Sequence, residues 1–230
     1  MKGDLGGLRH ALTEATAPMV AYLDTLDAFK ELIAIDINGY AKEAELRFCT
    51  AKEGEYMNLP DLCKLAHKHM MDSKEIVNML PSTICLGLVN LDCRSVRTML
   101  SAKHKSIATA LYRVLESEIK SFAELIISEF RDMFNRIIVA PTTIEGVVEL
   151  RDFMAQLPVR IEALSDRIQR NEFHFGLMEA AQWQIPFDLM DMRWETARWT
   201  SNMKAEIIKQ EKSLKILEQQ LRKSMEEDQG

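Results

Sequence analysis

Seven apolar residues, Val147, Leu150, Met154, Leu157, Ile161, Leu164 and Ile168, recur at alternating steps of three and four. That is the a/d spacing of a coiled-coil seam, so a helix carrying it must lay the stripe on another helix or leave it in water. The start of that helix is marked at Pro141. Thr142, with Glu145 three residues on, reads as a capping box in which hydroxyl and carboxylate each satisfy an orphan N–H. Pro158 falls between seam positions; its missing N–H and ring clash predict a kink near Met154 rather than an end.

The partner for the seam lies just upstream. Ile107, Leu111, Leu115, Ile119, Phe122, Ile126, Phe130, Met133 and Ile137 keep close to the helical period, which predicts one helix from Ser95 to Val139, about 60 Å long at about 1.5 Å per residue. Ala140-Pro141 interrupts it, so the two helices are expected to form an antiparallel hairpin. After a break from Trp183 to Asp188, a last helix is expected from Asp188 or Asp191 to about Glu226, with Met203, Ile207, Leu214, Leu217 and Leu221 as a thinner apolar stripe. A stripe left without a partner would suit self-association.

The first half is less regular. The glycine-rich first residues are expected to fray, with Leu8–Ala17 helical. Pro18 to Arg47 reads as one helix or two short ones softly broken at Asn38-Gly39, Ala51–Asn58 as a loop, and Pro60–Leu80 as a helix. Thr83–Cys93 reads as an extended stretch with no strand partner evident elsewhere in the chain. With only 9 Gly and 6 Pro, a sheet-rich fold would lack its turns. The expected class is all-α: an elongated helical bundle with long antiparallel helices and coiled-coil-like seams. Its expected parts are an N-terminal helical portion (1–80), an extended connector (81–94), and a long-helix hairpin plus C-terminal helix (95–230).

Composition narrows the function classes. Hydrophobic residues make up 47% of the chain, enough for a packed core, yet no apolar run approaches the roughly 18 residues of a membrane span. No secretory leader is recognisable, so an intracellular, soluble chain is expected. The net charge of −6 is spread with both signs interleaved, which argues against nucleic acid as a partner. Cys49, Cys63, Cys85 and Cys93 contain no C-x-x-C pair and are expected to be reduced, half-buried and free of disulfides.

Candidate chemistry is sparse. Cys63, His67 and His69 form C-x3-H-x-H, but no second cluster follows to complete a zinc site, and a half-exposed helix bearing histidines is favoured. His104 and His174 have no neighbouring nucleophile that suggests a triad. Neither G-x-x-x-x-G-K-[ST] nor G-x-G-x-x-G occurs, so no phosphate cradle is expected. Glu116, Glu118, Glu124 and Glu129 read as a solvated helix face, and Glu172 and Glu179 likewise. The expectation is therefore no catalytic, cofactor-binding or metal-binding residue. Trp183, Trp194 and Trp199, with Phe173, Phe175 and Phe187 nearby in sequence, are expected to anchor helix packing or an interface.

Three stretches together resemble a known family. Ile84 to Cys93 (ICLGLVNLDC) looks like an apolar, extended lead-in to a long helix. Pro141 to Leu150 (PTTIEGVVEL) is similar to a P-x-T-x-E-E-x-V-E-L segment, with Gly146 in place of the usual acidic or polar residue. Leu177-Met178-Glu179 followed by Ile185-Pro186-Phe187-Asp188-Leu189 looks like L-x-E, a proline-containing break, and D-L. In this order and at these intervals, over about residues 80 to 225, they resemble the stem (tail) region of axonemal dynein heavy chains, upstream of the linker and motor. The resemblance implies a non-catalytic stem segment supporting assembly and force transmission in a microtubule motor whose ATPase lies elsewhere. It implies partners in the rest of a heavy chain and other dynein subunits, only indirect contact with microtubules, and a place in the cytoskeleton of a cilium or flagellum. The segment would be an excised piece or one captured by a gene model. The rival reading is an independent, self-associating coiled-coil adaptor; a third is a metal protein built on Cys63, His67 and His69.

Overall fold

The computed structural model describes residues 5–49, 58–86 and 89–228. They fall into two compact units divided between Leu115 and Glu116.

The first unit opens with α1 (Leu5–Leu26), a 3-10 turn (Asp27–Phe29), α2 (Lys30–Ala34) and α3 (Ile37–Phe48). Helix α1 runs through Gly6, Gly7 and Pro18, so glycine lowers helix propensity here without preventing the helix. The expected interruption at Asn38-Gly39 is instead at Ile35-Asp36. Asp36 is extended and caps α3, its carboxylate accepting from the backbone N–H groups of Asn38 and Gly39. A Cβ on Gly39 would sit 2.8 Å from the Asp36 carboxylate oxygen. Glycine therefore belongs to the first turn of this helix, where it lets the cap close.

Helix α4 (Leu59–Met79) starts at Asn58, whose side-chain oxygen accepts from the Asp61 N–H, with Pro60 in the first turn where a missing donor costs nothing. The loop expected at Ala51–Asn58 lies, except for Asn58, outside the described residues. Beyond α4 the extended stretch finds its partner within itself. Strands β1 (Thr83–Leu86) and β2 (Val89–Asp92) pair antiparallel, from Thr83 opposite Asp92 to Leu86 opposite Val89. Asp92 then accepts from the backbone N–H of Arg94 and grips its guanidinium, which holds the Asp92 carboxyl down at about 2. Helix α5 (Arg94–Ile138) begins at this arginine. In this unit Leu59, Leu62, Cys63, Ala66 and Ile76 of α4 and Leu100, Ile107 and Leu111 of α5 are buried.

The second unit takes the remainder of α5 with α6 (Ile144–Ala180) and α7 (Phe187–Asp228). Both α5–α6 and α6–α7 are antiparallel. Arg136 lies over the ring of Phe153, while Phe122, fourteen residues earlier, meets Arg167, fourteen residues later. Arg151 likewise pairs with Glu218, and Glu172, further along α6, pairs with the earlier Arg193. Helix α6 continues through Pro158. Its end is a Schellman arrangement: Gln182 adopts φ 55°, its N–H reaches the Glu179 carbonyl, and the Trp183 N–H reaches that of Met178. All four cysteines remain thiols, three buried and Cys85 exposed. Among the described residues no helix is long and apolar enough to cross a membrane.

The left-handed conformation at Gln182 disfavours any residue with a Cβ. Gln182→Gly should stabilise the protein by about 1 kcal/mol, read as a higher denaturant midpoint at unchanged slope.

Candidate functional site

The α6 seam is the most extensive built feature of the second unit. Helix α6 begins one residue later than the capping-box reading places it. Thr143 is the N-cap, and its hydroxyl accepts from the Gly146 N–H at 3.1 Å. The third helical residue is thus Gly146 rather than Glu145, so no carboxylate occupies the position from which a box reaches back. Behind this start, Val147, Leu150, Met154, Leu157, Ile161, Leu164 and Ile168 are all buried. They share one cluster with Ile126, Phe130, Met133 and Ile137 of α5 and with Met203 and Leu214 of α7. Leu157 is 0% exposed at its centre. The thinner stripe of α7 also turns inward: Ile207, Leu217 and Leu221 pack, partly buried, on the same cluster.

The three-four spacing continues past Ile168 through Asn171, Phe175 and Met178, all buried. Asn171 is 2% exposed, and neither its amide nitrogen nor its oxygen has a hydrogen-bond partner. Next to it in this face His174 is buried, and burial, with the nearby Arg170 second, holds its pKa below the ordinary imidazole value. Apolar spacing carries no signal for a polar residue at such a position, since Asn171 interrupts the apolar pattern that ends at Ile168.

Ion pairs close the flanks. Arg193 of α7 is shared between Glu172 and Glu179 of α6, at 2.8 and 2.6 Å, and lies over the ring of Phe175. The hydrogen bonds that Arg193 donates to Glu172 first, then to Glu179, raise its pKa above the usual value. Arg151 and Arg222 both reach Glu218, and the Arg151 hydrogen bond is the main reason the Glu218 carboxyl sits below its ordinary value. Glu116, Glu129, Glu172 and Glu179 are thus each engaged with a cation or an indole.

The three tryptophans go to three places. Trp183 donates its indole N–H to Glu116 at 2.7 Å. Trp199 stacks on Phe130 at 5.9 Å and meets Phe134 edge-on. Trp194 is 58% exposed. Beside the seam, Pro158, Ile161 and Ser165 of α6 with Thr200, Lys204 and Ile208 of α7 line an open groove of about 560 Å³. Its lining is mostly apolar and includes one ammonium and one carboxylate, those of Lys204 and Glu162.

In the first unit, Cys63, His67 and His69 do not converge. At about 100° per residue, positions 67 and 69 point to nearly opposite sides of a helix; His67 is exposed and Cys63 buried in the core. His69 instead turns toward α5, where its Nδ1 lies 2.9 Å from Nδ1 of His104, with Asp72 one turn on. Sequence spacing offered no signal for His104, which is 35 positions away.

An acidic substitution in the buried seam should be among the costliest single changes available. Leu157→Asp is expected to cost more than about 4 kcal/mol and Thr143→Ala about 1 kcal/mol; equal losses in denaturant titrations would mean that α6 is not held by its seam.

No family profile matches the chain. Curated relatives do match it. Dynein axonemal heavy chain 1 of Mus musculus is 25% identical over 200 residues, 87% of this chain, and that of Homo sapiens is 27% identical over 197 residues, 86% of this chain. Dynein axonemal heavy chain 12 of Homo sapiens is 31% identical over 97 residues, 42% of this chain. The chain spans about 4% of the length of the two heavy chain 1 relatives. A predominantly helical architecture of long, seamed helices thus comes with similarity, along most of the chain, to a short stretch of axonemal dynein heavy chains.

Proposed function

We propose that the chain acts as a non-catalytic helical packing segment of the kind found in the stem of an axonemal dynein heavy chain, where it supports assembly and carries load. The observation that carries this reading is the pairing of that similarity with the α6 seam. Seven regularly spaced side chains are buried between two long antiparallel neighbours, a construction that holds three helices together along their length and so resists bending. Its partners would be adjoining parts of a heavy chain and other dynein subunits, its site a ciliary or flagellar axoneme, and its contact with microtubules indirect. Nucleotide hydrolysis would belong to other parts of such a motor, in keeping with the lack of either phosphate-cradle motif in the sequence.

The groove between Pro158 and Ile208 is the surface on which a neighbouring helix would pack in this reading, because its lining is mostly apolar and includes one charge of each sign. The self-associating adaptor rested on a stripe of α7 without a partner. That stripe packs on the α6 cluster within the chain, which removes the reason to favour it.

An axonemal dynein heavy chain in which these 230 residues replace the stretch they match should assemble into axonemes. Ile208 is 55% exposed, so Ile208→Asp should leave the fold's melting temperature within about 2 °C while lowering incorporation several-fold. A correctly folded chimera that never enters the axoneme would overturn the proposal.

A further inference from the structure

A second, independent feature lies in the first unit, where α4 and α5 bring together side chains that the packing role leaves unused. His69 and Asp72 are separated by three positions on α4 and so share a face. His104 meets them from α5, and one ligand-type atom from each of the three lies within 4.8 Å of the others. The two imidazoles face each other through Nδ1 at 2.9 Å, with rings 5.2 Å apart and tilted by 39°. On the far side of His69, Nε2 stands 3.3 Å from the hydroxyl of Tyr40 on α3, whose ring meets the imidazole edge-on. All three cluster residues are half-buried.

We infer that His69, Asp72 and His104 form a binding site for a divalent transition-metal ion of the zinc class, bridging α4 to α5 through two imidazole nitrogens and one carboxylate. Several features of the site fit this chemistry. Two imidazoles and a carboxylate are a borderline donor set suited to zinc, with a fourth position left for water. Burial disfavours the protonated form of both imidazoles, and it is the neutral ring that a metal takes. Binding through Nδ1 leaves the proton of His69 on Nε2, from which it donates to the Tyr40 oxygen. This is the outer hydrogen bond that orients a metal-bound imidazole and fixes its tautomer.

The spacing of the two nitrogens is close to that required, and the Asp72 oxygen, within 4.8 Å of both, must close in by at most about 1.5 Å. Tetrahedral zinc with bonds of about 2.0–2.1 Å holds two nitrogens roughly 3.3 Å apart, so the imidazoles need to separate by only a few tenths of an ångström. A bare hydrogen bond between two neutral imidazoles accounts for the Nδ1 contact alone. It gives no role to the carboxylate that completes the triangle.

The test uses the full chain, stripped with chelator and dialysed, then titrated with Zn²⁺ alone by calorimetry and with Co²⁺ alone by visible absorption. One equivalent of Zn²⁺ should bind, the melting temperature should rise with it, and Co²⁺ should give the intense visible bands of a four-coordinate site. His104→Ala and the isosteric Asp72→Asn should each weaken binding by about tenfold or more, whereas His67→Ala, on the exposed side of α4, should bind as the unaltered chain does. Circular dichroism of each variant before titration separates a lost site from a lost fold, and Asp72→Asn supplies the comparison if His104→Ala unfolds. Failure of the unaltered chain to bind Zn²⁺ at about 100 µM would overturn the inference, as would binding weakened equally by His67→Ala. Neither result bears on the axonemal reading, which rests on α6.

Discussion

The second unit depends on one constraint: α6 cannot leave its three-four stripe in water. Burying a Val, Leu, Ile or Met side chain contributes roughly 1.5–3 kcal/mol. Seven such residues give a driving force that is large beside the net stability of an ordinary domain, though most of it is offset by the entropy of ordering the chain. The stripe needs apolar surface on two sides, and the periodic faces of α5 and α7 supply it. This accounts for α6 continuing through Pro158. One lost backbone hydrogen bond and a ring clash cost about 3 kcal/mol, less than surrendering the seam on either side of it.

How much of this could be read from residues follows from the range of the interaction concerned. Helix identity in the second half was legible because the period is local: Arg94–Ile138 and Phe187–Asp228 lie within a few residues of the spans expected from spacing, whereas Ile144–Ala180 runs well past the last apolar seam position at Ile168. Boundaries set by one side chain were less so. Thr142 and Thr143 are chemically equal candidates for the cap, and only the chain's exit from Pro141 decides between them. Asn38-Gly39 looks like a break because both residues favour turns, yet the carboxylate two positions earlier recruits their N–H groups into a first turn. The 83–93 stretch was legible as extended, but nothing in its local spacing says that β1 pairs with β2 within the same stretch.

The His69, Asp72 and His104 cluster was illegible for a different reason. Periodicity finds residues that share a helix face, and it does find 69 with 72. It is silent on which face of a second helix arrives opposite. Cys63 and His67 drew attention because they are close in sequence, but one lies in the core and the other in solvent. Chemistry across a helix pair depends on rotation and register, neither of which is written in the sequence of either helix alone. The same holds for Trp183 and Glu116, 67 positions apart and joined by a hydrogen bond.

Register is also what the seam itself cannot supply. A repeat of alternating threes and fours matches its partner almost equally well after a slip of one heptad, so apolar spacing brings helices together without fixing where along each other they stop. The features that fix it are those that break the repeat. At one end of α6, Pro141 and the Thr143 cap set the short connection to α5. Along its face, Asn171 occupies a seam position with a side chain that apolar neighbours cannot satisfy, a device that discriminates among registers. At the other end, the left-handed Gln182 turns the chain, Trp183 anchors on Glu116, and Arg193 holds Glu172 and Glu179 together. A slip by one heptad would move Arg193 about 10 Å along α6, beyond the reach of both carboxylates. The hydrophobic stripe therefore decides that three helices associate, and a small set of polar and conformationally strained residues decides how.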